Sequence, residues 1–474
     1  MSPVIKFGTD GWRGIIAEDF TFDNVRVCAQ GVANYLKDAG LAHRGLVVGY
    51  DTRFASEDFA AAAAAVAAAN GIKVYLCQHI TPTPIIGYAI LMKKAGGAIV
   101  ITGSHNPASW NGFKYRQESA SSASPEVIAK LEGYISQIQA RGDVKQMPLD
   151  QALKGGIVER FDPSPSYLQH MGGLVDLERL RHAGLKVVVD SMYGAGAGYF
   201  SNILKGGPTK VVEIHGERNP LFPGIQPEPI ASNLAELSAK VKRSGASVGL
   251  ATDADADRIG IVDEEGRFLT TLQVFALLAL YLLEVCGQRG AIIKTITSTS
   301  MLYRLGELYG VPVHETPVGF KHVAPKMIAE DALMGGEESG GFGFRGHIPE
   351  RDSILSGLFF LDLMLRKQKS PSQLIDYLYS KVGPHYFDRI DIKFPAEERE
   401  AISERLSRSS PSHIDNTEVT GLEAKDGFRF LLADRTWLLI RFSGTEPILR
   451  IYAESDSPAR VKRLLAEGRR LAGV

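Results

Sequence analysis

The sequence predicts an α/β chain, folded as three similar α/β domains and a smaller α+β domain at the C-terminal end. Three observations carry this prediction. Short apolar strands alternate with stretches of helical periodicity as far as Lys381. Several of those strands stop abruptly at polar, glycine-dense loops. After Gly383-Pro384 the alternation gives way to strands and one closing helix. A chain of 474 residues holds about three domains at roughly 150 residues each, so four small ones fit.

The elements follow in order. In the first domain (1–155), Val25, Cys28, Ala29, Val32 and Leu36 recur at helical spacing. Leu46–Tyr50 is a short apolar strand ending in Asp51-Thr52-Arg53. Asp58–Ala69 is a helix closed by Asn70-Gly71, and Ile72–Cys77 and Ala98–Thr102 are further strands. Strands apolar on both faces, with helices between them, imply a largely parallel sheet. The pattern restarts after a polar stretch in a second domain (156–268), with strands Leu185–Asp190, Ser247–Thr252 and Ile259–Asp263 and a turn at Glu264-Glu265-Gly266-Arg267. The third domain (269–382) opens on the helix Leu272–Val285 and the strand Ala291–Thr295. The fourth (383–474) has strands Arg389–Phe394, Phe428–Leu432 and Trp437–Phe442 and a helix from Pro458.

Charge and composition exclude some classes of function. Lys and Arg total 53 against 54 Asp and Glu, so the basic excess expected of a nucleic-acid or anionic-membrane binder is missing. The longest apolar stretches, Phe59–Ala69 and Phe275–Leu283, fall short of the roughly 20 residues a bilayer needs. The first residues contain no apolar signal segment, and Cys28, Cys77 and Cys286 form no paired motif. A cytoplasmic protein is expected. Glycine is in excess, 49 residues against about 33 at average usage. No pattern speaks to oligomeric state.

Five loops carry chemistry. Asp253-Ala254-Asp255-Ala256-Asp257-Arg258 follows an apolar strand, and in an extended segment its three carboxylates share one face. Crowded hard oxygens call for a cation, with Mg2+ the expected one. An EF-hand is the competing reading, but Arg258 stands where that loop needs glycine; a solvated acidic turn is the other. Thr102-Gly103-Ser104-His105-Asn106-Pro107, with Asn111-Gly112-Phe113-Lys114, lies past the carboxyl end of a strand, where α/β folds place their sites, or is an ordinary turn. Gly335-Gly336-Glu337-Glu338-Ser339-Gly340-Gly341 allows close backbone approach and offers groups suited to sugar hydroxyls. Arg441-Phe442-Ser443-Gly444-Thr445-Glu446, with Arg450, has what a phosphate dianion requires, or is a surface turn. Arg13, within Phe7-Gly8-Thr9-Asp10-Gly11-Trp12-Arg13-Gly14, is a further cation between glycines.

In this order, TGSHNP with NGFK, DADADR, GGEESGG and RFSGTEP, together with the opening FGTDGWRG and with VVVDSMYGAG, resemble the α-D-phosphohexomutase superfamily along the whole chain. The resemblance implies three mixed α/β domains and a smaller α+β domain around a central cleft, each lending one loop. It implies phosphoserine at Ser104 and Mg2+ held by Ser104, Asp253, Asp255 and Asp257. Glu337 and Ser339 would grip sugar hydroxyls, and Gly319 and Lys321 would be substrate-binding. Arg441, Ser443, Gly444, Thr445 and Arg450 would bind the non-reacting phosphate. Arg13, His105, Lys114 and Arg258 would surround the transfer, with Lys114 first and His105 second as general acid/base.

The implied activity interconverts hexose 1-phosphate and hexose 6-phosphate, with a phosphosugar as partner and glucose 1,6-bisphosphate as intermediate and activator. Thr316-Pro317-Val318-Gly319-Phe320-Lys321 and His347-Ile348-Pro349-Glu350-Arg351-Asp352 look more like phosphoglucomutases than phosphoglucosamine mutases. Gly341 stands where many enzymes acting on both glucose and mannose place His; a dual phosphomannomutase/phosphoglucomutase is the alternative. A metal-dependent serine phosphohydrolase would share the serine and carboxylates without needing a second phosphate clamp. A non-catalytic sugar-phosphate binder would not need the acidic triad.

Overall fold

The computed structural model describes residues 5–8, 10–443 and 448–474. Four sheets divide the chain. The first has six strands in the order Trp12–Ile15, Trp110–Gln117, Gly97–Ile101, Leu46–Tyr50, Val74–Cys77, Val158–Phe161. Its last four run parallel; Trp110–Gln117 runs against them, and Trp12–Ile15, antiparallel to Trp110–Gln117, runs with them again. The sheet is therefore largely parallel, as expected, with one reversed strand. The strand Val158–Phe161 pairs with Val74–Cys77 in this sheet, although it lies beyond the boundary expected at residue 155. The polar stretch before it is a connection inside the first unit, closed by the short helix Leu149–Lys154.

The second sheet is ordered Phe268–Leu269, Ile259–Val262, Val248–Thr252, Lys186–Asp190, Lys210–Ile214. The third is ordered Val313–Thr316, Ile292–Thr295, Met334–Gly336, Phe342–Phe344. The fourth is six-stranded, and its helix Pro458–Ala472 packs Val461, Leu464 and Leu465 into one cluster with Leu438 and Ile451. Three mixed α/β units and a smaller α+β unit result.

Core continuity groups the units unequally. Val187, Leu250 and Ile259 of the second sheet share one buried cluster with Phe275, Phe342 and Leu358 of the third unit, and Ile85 of the first reaches it. The fourth unit has its own cluster, from Phe394 to Ala472. It meets the third across a small patch of Ile296, Trp437, Leu439 and Tyr452. No helix among the described residues is long and apolar enough to cross a membrane.

Two parallel strands place the first site loop. Leu46–Tyr50 and Gly97–Ile101 are neighbours, so Asp51-Thr52-Arg53 and Thr102-Gly103-Ser104 leave the same sheet edge side by side, as expected at the carboxyl ends of parallel strands. Gly112 permits the close crossing: a Cβ there would meet Thr102 O at 2.4 Å and Trp12 O at 2.9 Å.

Candidate active site

Ser104 is buried and sits at φ +50, a left-handed conformation costing a side-chain-bearing residue roughly 1–2 kcal/mol. Its amide donates to Thr102 Oγ1 at 2.8 Å. The Arg53 guanidinium, fully buried, donates to the carbonyls of Ser104, Asn106 (2.6 Å), Pro107 (2.8 Å) and Trp110 (2.9 Å). The Ser104 hydroxyl thereby lies 3.2 Å from Asp253 Oδ2, across the boundary between the first two units, and 3.4 Å from His105 Nδ1. Burial, followed by the charges of Arg258, Arg13, Lys114 and Arg53, pushes the His105 imidazole well below its usual range, so it is neutral at pH 7.

The acidic loop differs from the extended segment expected. It is a turn: Ala256 adopts φ +57, and the amides of Asp257 and Arg258 donate to Asp253 Oδ1 at 2.9 and 3.1 Å. Extension would leave these amides unpaired in a buried place; the turn satisfies them on a carboxylate. The carboxylates still converge, with one ligand atom from each of Asp253, Asp255 and Asp257 within 4.8 Å of the others. All three are buried, and Asp255 Oδ1 and Asp257 Oδ1 have no hydrogen-bond partner. Orphaned carboxylate oxygens in a dry site are costly, and an all-oxygen donor set suits a hard divalent cation. The residues present fit Mg2+, with Ser104 Oγ at the rim of the set. Burial, then Asp255 and Asp257, raise the Asp253 carboxyl well above its usual range.

Lys114 crosses from the first unit into this cluster. Its ammonium lies 2.8 Å from Asp255 Oδ2, 2.8 Å from Asp10 Oδ2 and 3.5 Å from Asp257 Oδ2. Burial opposes its charge, but Asp10, Asp255 and Asp257 outweigh that and raise its pKa. Thr83 Oγ1 also donates to Asp255 Oδ2, at 2.7 Å. Burial works to raise the Asp255 carboxyl, and Lys114 then Thr83 bring it well below the usual range. Arg258 reaches Glu228 at 3.2 Å and Asp257 at 4.0 Å. The Nε atoms of Arg13 and Arg258 are buried without hydrogen-bond partners.

The third unit enters through Arg351. Its guanidinium lies 2.6 Å from Asp10 Oδ2, 2.9 Å from Asp257 Oδ2, 3.1 Å from Glu350 Oε1 and 3.4 Å from Glu337 Oε2. Asp352 caps the following helix, Ser353–Lys367, and Ser353 Oγ donates to Ala256 O at 2.6 Å, tying the helix start to the acidic turn. Glu337 Oε1 accepts the Gly319 amide at 3.1 Å, and burial drives its carboxyl up to about 7. Ser339 Oγ is buried without a hydrogen-bond partner, and Lys321 Nζ lies 3.5 Å from Gly8 O. Glu338 turns the other way, accepting from Thr295 and Thr297 of the third unit.

In the fourth unit, Arg441 pairs with Asp426 at 2.9 Å. The other oxygen of Asp426 accepts the Val318 amide at 2.9 Å, which joins Arg441 to the segment leading to Gly319 and Lys321. Arg450 lies 3.6 Å from Asp391 and keeps a buried Nε without a hydrogen-bond partner. The Ser443 amide donates to Ile448 O at 2.8 Å. Gly444 and Thr445 lie outside the described residues. Ser104, His105, Lys114, Arg258 and the three aspartates thus form one cluster, with Gly319 and Glu337 joined to it through Arg351. Arg441 and Arg450 pair within the fourth unit.

Four participants were not singled out from the sequence: Asp10, Arg53, Glu350 and Arg351. Asp10 and Arg351 stand inside motifs that carry the family likeness, and Arg53 ends a strand beside the serine loop. Those placements were the available signal.

Four family models match the chain. They are described as phosphoglucomutase/phosphomannomutase, alpha/beta/alpha domain I (residues 4–142), domain II (165–266), domain III (271–382), and C-terminal domain (393–471). A phosphoglucomutase/phosphomannomutase of Thermococcus kodakarensis is 31% identical over 98% of both chains. A candidate phosphoglucosamine mutase of Methanothermobacter thermautotrophicus is 31% identical over 96% of this chain and 95% of its own. The crystal structure of a candidate phosphomannomutase from Thermus thermophilus superposes with a TM-score of 0.86 at 33% identity, covering 100% of each chain.

Proposed function

The chain belongs to the phosphoglucomutase/phosphomannomutase family of phosphohexose isomerases, and from that premise we propose that it interconverts glucose 1-phosphate and glucose 6-phosphate through a phosphoserine at Ser104. The observation that carries this reading is the Ser104 hydroxyl, buried and 3.2 Å from Asp253 beside a carboxylate triad with orphaned oxygens. A phosphoryl group on Ser104 passes to the free hydroxyl of the bound sugar phosphate. The resulting glucose 1,6-bisphosphate turns over and returns its other phosphoryl group to Ser104. Bound at Asp253, Asp255, Asp257 and the Ser104 phosphate, Mg2+ would neutralise charge on the phosphoryl oxygens.

The chain's own residues divide the rest. Lys114 keeps its proton among three carboxylates and acts as fixed positive charge. The neutral His105, 3.4 Å from Ser104 Oγ, is the better placed base for proton movement at the serine. Arg13 and Arg258 face the transferring group with free N–H. Glu337 and Ser339 take sugar hydroxyls, and the arginines of the fourth unit hold the phosphate that is not reacting. Glucose is favoured over mannose because Gly341 replaces the His of many dual enzymes, and a Cβ there would meet Arg351 Cδ at 2.2 Å. The three cysteines are free, in keeping with a reducing, cytoplasmic setting.

One assay tests this: glucose 1-phosphate with Mg2+ and a trace of glucose 1,6-bisphosphate. Glucose 6-phosphate without free phosphate is expected, and free phosphate would instead indicate a hydrolase. Mannose and glucosamine phosphates in parallel rank the substrates. Ser104→Ala should lose most turnover yet still bind substrate; wild-type turnover by that variant would overturn the reading.

A further inference from the structure

We propose that Arg53 is the positioning residue of the phosphoryl-accepting serine: its guanidinium is the template on which residues 104–110 fold. The inference rests on Ser104 being the nucleophile, as read above. Arg53 is fully buried. Its two terminal nitrogens have four N–H groups, and these meet four carbonyls of one loop: Pro107 and Trp110 from one nitrogen, Ser104 and Asn106 from the other. Only the planar fork of a guanidinium presents donors in that arrangement; a lysine ammonium has three, from a single point.

The fork is itself held from three sides. Asp51 Oδ2 lies 3.3 Å from its Nε, and the Arg53 amide donates to Asp51 Oδ1 at 3.0 Å. The Phe222 ring, from the second unit, packs under it with 4.9 Å between Cζ and the ring centre. Arg218, also of the second unit, donates to the carbonyls of Thr52 and Arg53 at 3.2 and 3.3 Å and pairs with Glu57 at 2.7 Å. Across the loop, Gln226 donates to His105 O at 3.1 Å. The left-handed backbone of Ser104 is thus fixed by contacts from two units, and the same contacts aim its hydroxyl at Asp253. Arg53 meets Ser104 through the backbone carbonyl and not the hydroxyl: its terminal N–H groups are used on the loop and its Nε faces Asp51.

The role predicts a loss in kcat with little change in KM, because the sugar and distal phosphate are held by other loops. Arg53→Lys should lower kcat about 100-fold, the cost of roughly 1 Å of misplacement at a reacting atom. The rate at which glucose 1,6-bisphosphate phosphorylates Ser104, followed by intact mass, should fall in parallel. Arg53→Gly should regain part of its kcat in millimolar guanidinium chloride, which Arg53→Lys should not. Wild-type kcat in Arg53→Lys, or a loss confined to KM, overturns the proposal. If Arg53→Lys fails to fold, Asp51→Asn carries the test, since it keeps the fork and removes its anchor: a lower kcat at constant KM supports the role, and an unchanged kcat overturns it. Ser104→Ala is run alongside. Full turnover there defeats the serine reading and this inference together, whereas a dead Ser104→Ala beside a fully active Arg53→Lys defeats the positioning role alone.

Discussion

Lys114 Nζ and Asp255 Oδ2 lie 2.8 Å apart, in a buried contact that joins the first unit to the second. The lysine is neighbour to three carboxylates, of which Asp255 and Asp257 are buried away from water. Removing it leaves uncompensated buried charge, a change that typically costs 3–5 kcal/mol or so. Lys114→Met is therefore expected to lower both Tm and kcat. Because the native pKa of Lys114 is raised, the stability it contributes is complete below its ordinary pKa and lost only as pH rises beyond that, in strong alkali. Between pH 6 and 9 its protonation is constant. A pH–rate profile of the wild type in that window should show no limb attributable to it; a limb abolished by Lys114→Arg would mean that it moves protons.

Metal removal should stop turnover and soften the fold. Asp255 Oδ1 and Asp257 Oδ1 have no hydrogen-bond partner in the protein, so a bound cation would supply the contact they lack. Exhaustive EDTA treatment is expected to abolish mutase activity, with Mg2+ restoring it. A ligand at about 100 times its Kd contributes roughly 2.7 kcal/mol, so saturating Mg2+ should raise Tm measurably. Asp255→Asn combined with Asp257→Asn should remove that rise. A chelator-treated protein with full activity and an unshifted Tm would defeat the metal assignment.

If Glu337 binds the sugar as proposed, substrate recognition should depend on pH. Burial lifts its carboxyl to about 7, so below pH 7 it is mostly protonated and loses acceptor strength toward sugar hydroxyls. kcat/KM should fall toward pH 5.5, and Glu337→Gln should be poor at every pH without that acid limb. Stability runs the opposite way. A folded pKa above the ordinary 4.5 means that the contribution is full below pH 4.5 and is lost as pH rises through about 7, by about 3 kcal/mol over the whole range. Glu337→Gln should accordingly lose less Tm than the wild type between pH 5 and pH 8. Parallel Tm curves for the two proteins would refute this.

The separation between what could and could not be read from the chain follows the range of the interactions. Asp253, Asp255 and Asp257 advertise themselves because three carboxylates fall within five residues, whereas the Ser104 loop reads equally well as an ordinary turn and takes its role from the family resemblance. The turn that unites the aspartates was missed because it needs Ala256 at φ +57, a conformation alanine rarely takes. Arg351 was missed for a different reason: its partner Asp10 stands 341 positions away, and an arginine between Glu350 and Asp352 looks locally neutralised. The strand Val158–Phe161 lies past the boundary expected at residue 155 for the same cause, since only its pairing with Val74–Cys77 shows which sheet it completes.

The fourth unit should have to move during turnover. In the mechanism proposed above, both ends of the bisphosphate reach Ser104, while one phosphate clamp serves whichever end is idle. The fourth unit has a separate core, and Gly383, at φ +82 with open space where a Cβ would stand, begins the connection to it. A cavity of about 660 Å3 flanks that connection, lined by Gly383, Pro384, Trp437 and the exposed pair Glu307 and Arg435, whose charged groups lie 3.0 Å apart. Cysteines at 307 and 435, bridged by a short bis-maleimide with a reducible spacer, would fix this gap; a direct disulfide is out of reach for two positions whose long side chains only meet at their tips. Cys286 is replaced by Ser beforehand, since Cys28 and Cys77 are buried. The bridged protein should turn over at least tenfold more slowly than the unbridged double variant and recover when the spacer is reduced. Undiminished turnover while bridged would mean that the intermediate reorients without the fourth unit swinging.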